Sequence, residues 1–403
     1  MPLPSGVMDP RRPPLPITAA AAVNALGRTT REVLDALDAG RSGLRPPTFD
    51  VPVTTLVGAI PGDLDALPAE YAAYDCRLAR MAKLAYDEVH EEVVRARERW
   101  GRERVAIILG TSTGGLHATE RAFFQWRSDG TVPADFDFHR QHDFNGLGEL
   151  LGAMAGVDGP VYTLSTACSS SGKVMATAQR LIDADVIDAA LVGGVDSLCR
   201  MTLQGFHGLG VLTDVACRPF SSERKGINIG EGAAFCLLER EEVSSAPSDV
   251  WVLGVGESSD AHHMSSPHPE GRGAAEAMSR AMAQGGVGPD GIDHINAHGT
   301  STLLNDAAES IAIHSLFGDR VPVVSTKGYT GHLLGAAGGT EAIFAMHAVR
   351  SNRVPRSLGV EPKDPSVAID VQDVPRDQPV RRVLSNSFAF GGSNVSVLIG
   401  ERP

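Results

Sequence analysis

Residues Gly159–Ala184, "GPVYTLSTACSSSGKVMATAQRLIDA", pass from a β-like run through a serine-rich turn into a helical run. "VYTL" has strand composition, and "KVMATAQRLIDA" repeats its apolar residues at helical spacing. Cys168 lies at the junction, in "TACSSSG" (Thr166–Gly172). A thiol at a helix N-terminus is acidified by the positive end of the dipole and by unpaired backbone N–H groups. Ser169, Ser170, Ser171 and Gly172 suit a first helical turn. A free cysteine is also among the most buried residue types. The stretch alone therefore leaves two readings of Cys168 open, a nucleophile and a core residue.

The same strand–turn–helix alternation recurs on both sides. Upstream come a strand at "LPITAAAAVNALG" (15–27), a helix at "TREVLDALDAG" (30–40), and a long amphipathic helix at "YDCRLARMAKLAYDEVHEEVVRARERW" (74–100). The strand "RVAIILG" then enters the turn "TSTGG". Downstream follow the strands "DAALVGG" and "AAFCLLER". "REEVSSAPSDV" (240–250) mixes charge, Ser and Pro and reads as a boundary. Beyond it the pattern restarts, with strands at "WVLGVGE", "IDHINAH" and "VPVVSTK", helices near 273–283, 306–318 and 336–351, and a closing pair, "RVLSNSFAF" and "NVSVLIG". Strands alternating with helices predict a layered α/β protein. We divide the chain into a flexible Pro-rich leader (1–14), an N-terminal half (15–245) and a C-terminal half (246–403).

Composition sets the bounds. With 403 residues, 44 of them Gly, 42% hydrophobic and 5% aromatic, the chain reads as a soluble globular protein of two domains or one duplicated unit. A formal charge of −13 without any Lys/Arg run argues against nucleic-acid binding. Cys76, Cys168, Cys199, Cys217 and Cys236 show no CxxC spacing, so neither a disulfide framework nor a zinc site is indicated. No apolar run approaches the roughly 18 residues that would span a bilayer, and we expect no membrane association and a cytoplasmic location.

Several short patterns compete to carry chemistry. Gly110–Gly114, "GTSTG", fits the G-x-S-x-G nucleophile elbow at Ser112, or equally a Gly-rich turn. Asp196-Ser197-Leu198 matches the tripeptide that bears a carrier's prosthetic arm, but inside a large domain. His262, His263 and His268, in "DAHHMSSPHPEG" (260–271), could bind metal, although Pro and Gly neighbours predict a loop near a pocket mouth. "NAHGTST" (296–302) places His298 just after a strand. "STKGYTGHLLGAAGG" (325–339) does the same for Lys327 and His332, and "SFAFGGSN" (387–394) adds Phe388 and Phe390. Four strand-to-turn junctions carrying Cys, His, His-with-Lys and Phe-Gly-Gly look like one site assembled from several strand ends.

With these stretches together the chain resembles the β-ketoacyl-acyl carrier protein synthases, condensing enzymes of the thiolase superfamily. "TACSSS", "GEGAAFCLLER", "DAHHMSSPHPEG", "NAHGTSTLLND", "STKGYTGHLLGAAGGTEA" and "SNSFAFGGSN" carry the resemblance, in that order, from about Ile17 to the C-terminus. It is the elongating Cys-His-His type that fits, since His332 stands where primer-type synthases have Asn. The resemblance implies a thiolase-like fold of two duplicated halves layered αβαβα. It also implies Cys168 as acyl acceptor, His298 and His332 as donors to an enolate, and Lys327 holding the histidines with Glu309 as its partner. Backbone N–H groups of Cys168 and Phe390 would form an oxyanion hole, Phe390 with Phe388 a gate, and Thr300 and Thr302 a pantetheine contact. No metal or dissociable cofactor is implied. The implied partners are an acyl carrier protein and a second subunit, identical or of the chain-length-factor kind. Arg77, Arg80 and Lys83 recur on one helix and are the expected carrier-docking patch, or a solvated face. The acyl pocket is expected around Phe136–Phe144 and Phe206. Leu303 and Gly328 depart from the family's usual Pro and Ser, which suggests a specialised polyketide or polyene branch.

Overall fold

The computed structural model describes residues 12–241 and 248–402. The expected boundary at 245/246 falls outside the described residues, as does most of the leader. Among the described residues eleven strands build the sheet; the ten longest are β1 (Leu15–Asn24), β2 (Val105–Gly110), β3 (Val161–Leu164), β4 (Ala189–Asp196), β5 (Gly232–Glu239), β6 (Trp251–Ser259), β7 (His294–Asn296), β8 (Pro322–Val324), β9 (Arg382–Ala389) and β10 (Ser393–Gly400). The helices that position the site are α1 (Thr30–Asp38), α2 (Arg77–Asp87), α3 (His90–Trp100), α4 (Gly146–Ala155), α5 (Ser170–Asp183), α6 (Arg200–Gly208), α7 (Arg272–Gln284), α8 (Leu303–Phe317) and α9 (Ala337–Ser351).

The duplication is written in the strand order. The first half runs β1-β5-β4-β2-β3 and the second β6-β10-β9-β7-β8. In each half the first strand pairs antiparallel with the last, the last antiparallel with the fourth, and the remaining pairs are parallel. The halves meet where Leu15 and Pro16 pair with Val252 and Trp251. A two-residue strand, Asp370–Val371, extends the second half beyond β8.

Side-chain alternation makes the layers. In β2, Ala106 and Ile108 enter the central core, whereas Val105, Ile107 and Leu109 face the outer one; β5 divides Ala234, Cys236 and Leu238 from Ala233, Phe235 and Leu237 in the same way. Strands apolar on both faces must be covered on both faces. Helices α2, α3 and α4 cover the outside of the first half through Met81, Val93 and Leu150. Helices α7 and α8 cover the outside of the second through Met278 and Ile313. Between the sheets lie α5 and α9, whose Val174, Met175, Ile343 and Met346 join one core with Val383, Val395 and Val397. The order is αβαβα.

The long helix expected over 74–100 is two helices. The break sits at Glu88 and Val89, where Val89 has ψ 0° and the Glu88 carboxylate accepts the Thr30 N–H at 3.0 Å. Continuous apolar periodicity cannot reveal a break of that kind, because both helices bury the same stripe. Among the described residues no helix is long and apolar enough to cross a membrane.

Candidate active site

Cys168 follows β3 and precedes α5; Lys327 and His332 follow β8, the equivalent strand of the second half, and precede α9. Duplication thus places the thiol and one imidazole at pseudo-equivalent turns, with the start of each central helix facing the other. His298 follows β7, and Phe390 follows β9. All are brought to one end of the sheet.

The serines around Cys168 build its turn. Ala167 has φ 51°, a left-handed conformation that costs an alanine roughly 1–2 kcal/mol. Ser170 holds it there: its Oγ donates to the Ala167 carbonyl at 2.6 Å and accepts the Thr166 N–H at 2.9 Å. Ser169 Oγ donates to the Thr166 carbonyl at 2.8 Å, and Ser171 Oγ accepts the Gly339 N–H at 2.9 Å, tying α5 to α9. Each serine is fully buried and spent on backbone. Only the Cys168 sulfur is left facing the cavity.

His332 Nε2 stands 2.9 Å from Cys168 Sγ, and the His298 ring packs edge-on to His332 at 5.2 Å between centroids. Lys327 is buried behind them. Its expected partner, Glu309, is a correction: Lys327 Nζ donates to Glu341 Oε1 at 2.6 Å. Glu309 instead accepts the backbone N–H groups of His298 (2.8 Å) and Gly299 (2.7 Å), so it fixes the His298 turn and not the lysine. Glu341, missed from the sequence, had left one signal: a lone acid in α9, a helix buried along most of its length. A buried ammonium needs a buried carboxylate, and α9 carried the nearest one.

Burial pushes the Cys168 thiol up to about 12, against the pull of the Lys327 ammonium and of the Phe390 and Cys168 backbone N–H groups. Burial, then Lys327, hold His332 well below the ordinary imidazole value; His298 is lowered by the same causes and by His332. The resting site near neutrality is a thiol beside two uncharged imidazoles. Uncharged imidazoles can donate N–H groups to a developing oxyanion without first losing a proton.

A cavity of about 250 Å³ ends on Cys168, His298 and His332 and is lined also by Thr300, Thr302 and Phe390. Thr300 and Thr302 share a 2.9 Å hydroxyl contact, and Thr302 also caps α8 by accepting the Asn305 N–H. Phe388 is buried against the His298 ring, while Phe390 is part-exposed and meets Phe206 at 6.0 Å. Of the expected pocket aromatics, Phe206 lines this cavity and the 136–144 segment does not. The loop carrying His262, His263 and His268 forms part of the mouth through Ser265, Ser266 and Pro267. It is pinned to the Phe-Gly-Gly turn, because the Gly391 N–H donates to the Met264 carbonyl (2.8 Å) and the Asp260 N–H to the Gly392 carbonyl (2.9 Å).

Among the described residues, the one three-residue cluster with metal-ligand geometry is Cys168, His298 and His332, whose ligand atoms lie within 4.8 Å of one another. Neither imidazole has a partner on Nδ1, so the outer hydrogen bonds that orient metal-binding histidines are missing. The adjacent Lys327 also opposes a cation.

The remaining sequence expectations fall elsewhere. Ser112 Oγ is buried with no hydrogen-bond partner, so no base activates it. Ser197, at 1% exposure, could bear no prosthetic arm. Arg77, Arg80 and Lys83 form no free positive stripe: they pair with Glu231, Asp75 and Asp87, and Glu231 is fully buried. Arg77 is there to neutralise a core carboxylate, and reversing its charge would unsettle the fold.

The comparisons with known proteins converge. Residues 13–244 match the β-ketoacyl synthase N-terminal domain and residues 250–361 the C-terminal domain. The chain is 32% identical to nodulation protein E of Rhizobium meliloti, covering 94% of this chain and 96% of that protein. It is 31% identical to 3-oxoacyl-[acyl-carrier-protein] synthase 2 of Coxiella burnetii, covering 97% and 99%. Among solved structures it is similar to the ketosynthase ApeO, in complex with its chain length factor ApeC, from Xenorhabdus doucetiae (TM-score 0.90, 36% identity, 96% of this chain and 98% of that one). It is likewise similar to the ishigamide ketosynthase/chain length factor (TM-score 0.90, 29% identity, 97% and 100%). With two matched domains spanning most of the chain, and a cysteine and two histidines gathered at the end of a duplicated sheet, this protein belongs to the β-ketoacyl synthase family.

Proposed function

We propose that this protein is a β-ketoacyl-acyl carrier protein synthase that elongates a carrier-bound fatty, polyketide or polyene chain by decarboxylative Claisen condensation. The observation that carries the reading is the 2.9 Å approach of His332 Nε2 to Cys168 Sγ, with the His298 ring alongside, at the closed end of a cavity. Cys168 Sγ attacks the acyl thioester, the pantetheine C–S bond breaks, and the thiol proton passes by way of His332 to the departing sulfur. The thioester oxygen is held by the Cys168 and Phe390 N–H groups.

A malonyl-carrier then enters. Its C–CO₂ bond breaks, CO₂ leaves, and the electron pair is taken up as an enolate. The enolate oxygen faces His298 and His332, which donate without being charged. The enolate carbon attacks the acyl-Cys168 carbonyl and expels the Cys168 sulfur as a thiolate, which takes up from solvent the one proton that the decarboxylative condensation consumes. Lys327, held in place by Glu341, keeps an ammonium behind both imidazoles. Thr300 and Thr302 hydrogen-bond the pantetheine arm, and Phe390 on its glycine-flanked turn gates access to Cys168. Every step runs on side chains, backbone and carrier-borne substrates, with no dissociable cofactor.

The carrier approaches at the cavity mouth, where Lys225 is exposed on the lining. Two of the most similar structures are ketosynthase/chain length factor complexes, which supports a heterodimer as well as the homodimer. Because it keeps Cys168, this chain is the condensing partner in such a pair, not the length-controlling one. The departures at Leu303 and Gly328 agree with a polyketide or polyene substrate.

The test is intact-mass analysis of carriers after mixing the protein with malonyl-carrier and a panel of acyl-carriers. A two-carbon β-keto extension on at least one primer is expected; no extension on any primer, alone or with a co-expressed partner subunit, defeats the proposal. Ser112→Ala is expected to leave the extension rate within about twofold of wild type, as for a substitution that breaks no hydrogen bond. Loss of activity there would reopen the serine reading.

A further inference from the structure

Two motifs remain that the reaction does not absorb, the Gly110–Gly114 turn and Asp196, and they meet at one carboxylate. Asp196 ends β4 and is fully buried. It accepts Thr111 Oγ1 (2.8 Å), Ser112 N (2.9 Å), Thr113 N (2.8 Å), Thr113 Oγ1 (2.7 Å) and Gly335 N (2.6 Å). Gly335 is three residues beyond His332, in the turn that leads into α9. None of these bonds belongs to a strand ladder or a helix ladder; they tie the end of β4 to the 111–113 turn and to the short 3-10 turn that carries Gly335.

The packing around the carboxylate leaves no slack. A Cβ on Gly335 would sit 2.7 Å from Asp196 Oδ2 and from Ser112 N, and one on Gly194 would sit 2.8 Å from Ser171 Cβ and 2.9 Å from the Gly335 carbonyl. The turn after β2, the end of β4, the start of α5 and the turn that carries His332 are thus in backbone contact around one anion. Burial pushes the Asp196 carboxyl up, and the hydrogen bonds from Thr113, Ser112 and Thr111 pull it back. The Asp196 charge in turn pushes the Cys168 thiol up. A buried acceptor with five donors is costly to disturb, since each donor it loses is left unpaired.

We propose that Asp196 is a positioning residue for the condensation, clamping the Gly335 turn to the Thr111–Thr113 turn so that His332 is held against Cys168. The inference rests on the reading of Cys168 and His332 as the reacting pair. It absorbs both leftover motifs: the turn that looks like a nucleophile elbow supplies backbone donors, and the acid of the carrier-like tripeptide is the clamp.

The test is Asp196→Asn, which sets an NH₂ group against backbone donors, together with Gly335→Ala, which crowds the same contact from the other side. Each should lower kcat at least about tenfold with KM for carrier substrates nearly unchanged, as misplacement by a fraction of an ångström does. The double variant should be little worse than the poorer single one, because both changes break one contact. Iodoacetamide alkylation of Cys168 supplies a readout that needs no condensation. In Gly335→Ala, which leaves the Asp196 side chain in place, it should change at least about threefold at pH 8, since the imidazole that stands 2.9 Å from the thiol is displaced. If Asp196→Asn does not fold, Thr113→Val removes a single donor, and kcat should still fall with KM constant. Unchanged kcat in the folded variants, independent multiplication of the two effects, or an unaltered alkylation rate overturns the clamp. A wild-type protein that extends no primer strikes the functional reading instead, and the alkylation rates still decide the clamp.

Discussion

Cys168→Ala is expected to abolish chain extension, by on the order of a thousandfold or more, as removal of a covalent nucleophile does. The fold should hardly notice. Cys168 is buried, but its sulfur meets the reacting His332 and takes no part in holding the turn, which Ser169, Ser170 and Ser171 carry. Intact-mass spectra should show an acyl adduct on wild type and none on the variant, with unfolding free energies agreeing within about 1 kcal/mol. An adduct on Cys168→Ala would move the acceptor to another residue. Extension without any adduct on wild type would remove the acyl-enzyme from the mechanism.

Lys327→Met is expected to lose both activity and stability, and pH should separate the two. Removing one partner of a buried ion pair leaves the other charge uncompensated, which costs roughly 3–5 kcal/mol. The orphan is Glu341, whose carboxyl burial already pushes up, with Lys327 alone pulling it back. Without the lysine its folded pKa rises further above the unfolded value. A carboxyl raised on folding stabilises fully below its unfolded pKa, and that stability is lost as pH rises through its folded pKa. The destabilisation in urea titrations should therefore grow from pH 5 to pH 8. A constant difference across that range would mean that Glu341 is not the orphan. Lys327→Met/Glu341→Leu should restore most of the stability without restoring extension, because it removes the orphan charge but not the need for a cation behind His298 and His332. Recovery of activity in the double variant would reduce Lys327 to a packing role.

Much of this protein was legible residue by residue. Short continuous apolar runs in "RVAIILG" and "AAFCLLER", against helical spacing in "KVMATAQRLIDA", point to a layered α/β chain, because strands apolar on both faces must be covered on both. Cys168 in its serine-rich turn and the glycine-flanked His298, His332 and Phe390, all after strands, announce a composite site at strand ends. Sequence, however, records pattern along the chain and not distance across it. The break at Glu88 between α2 and α3, the choice of Glu341 over Glu309 for Lys327, the neutralisation of Arg77 by Glu231, and the gathering of Thr111–Thr113 and Gly335 on Asp196 all join residues from separate elements. Local composition determined which side chains could react and which stretches could be strands or helices. Only the duplicated sheet decided which charges meet, because a buried charge must find its partner among whatever the packed layers bring within hydrogen-bond reach.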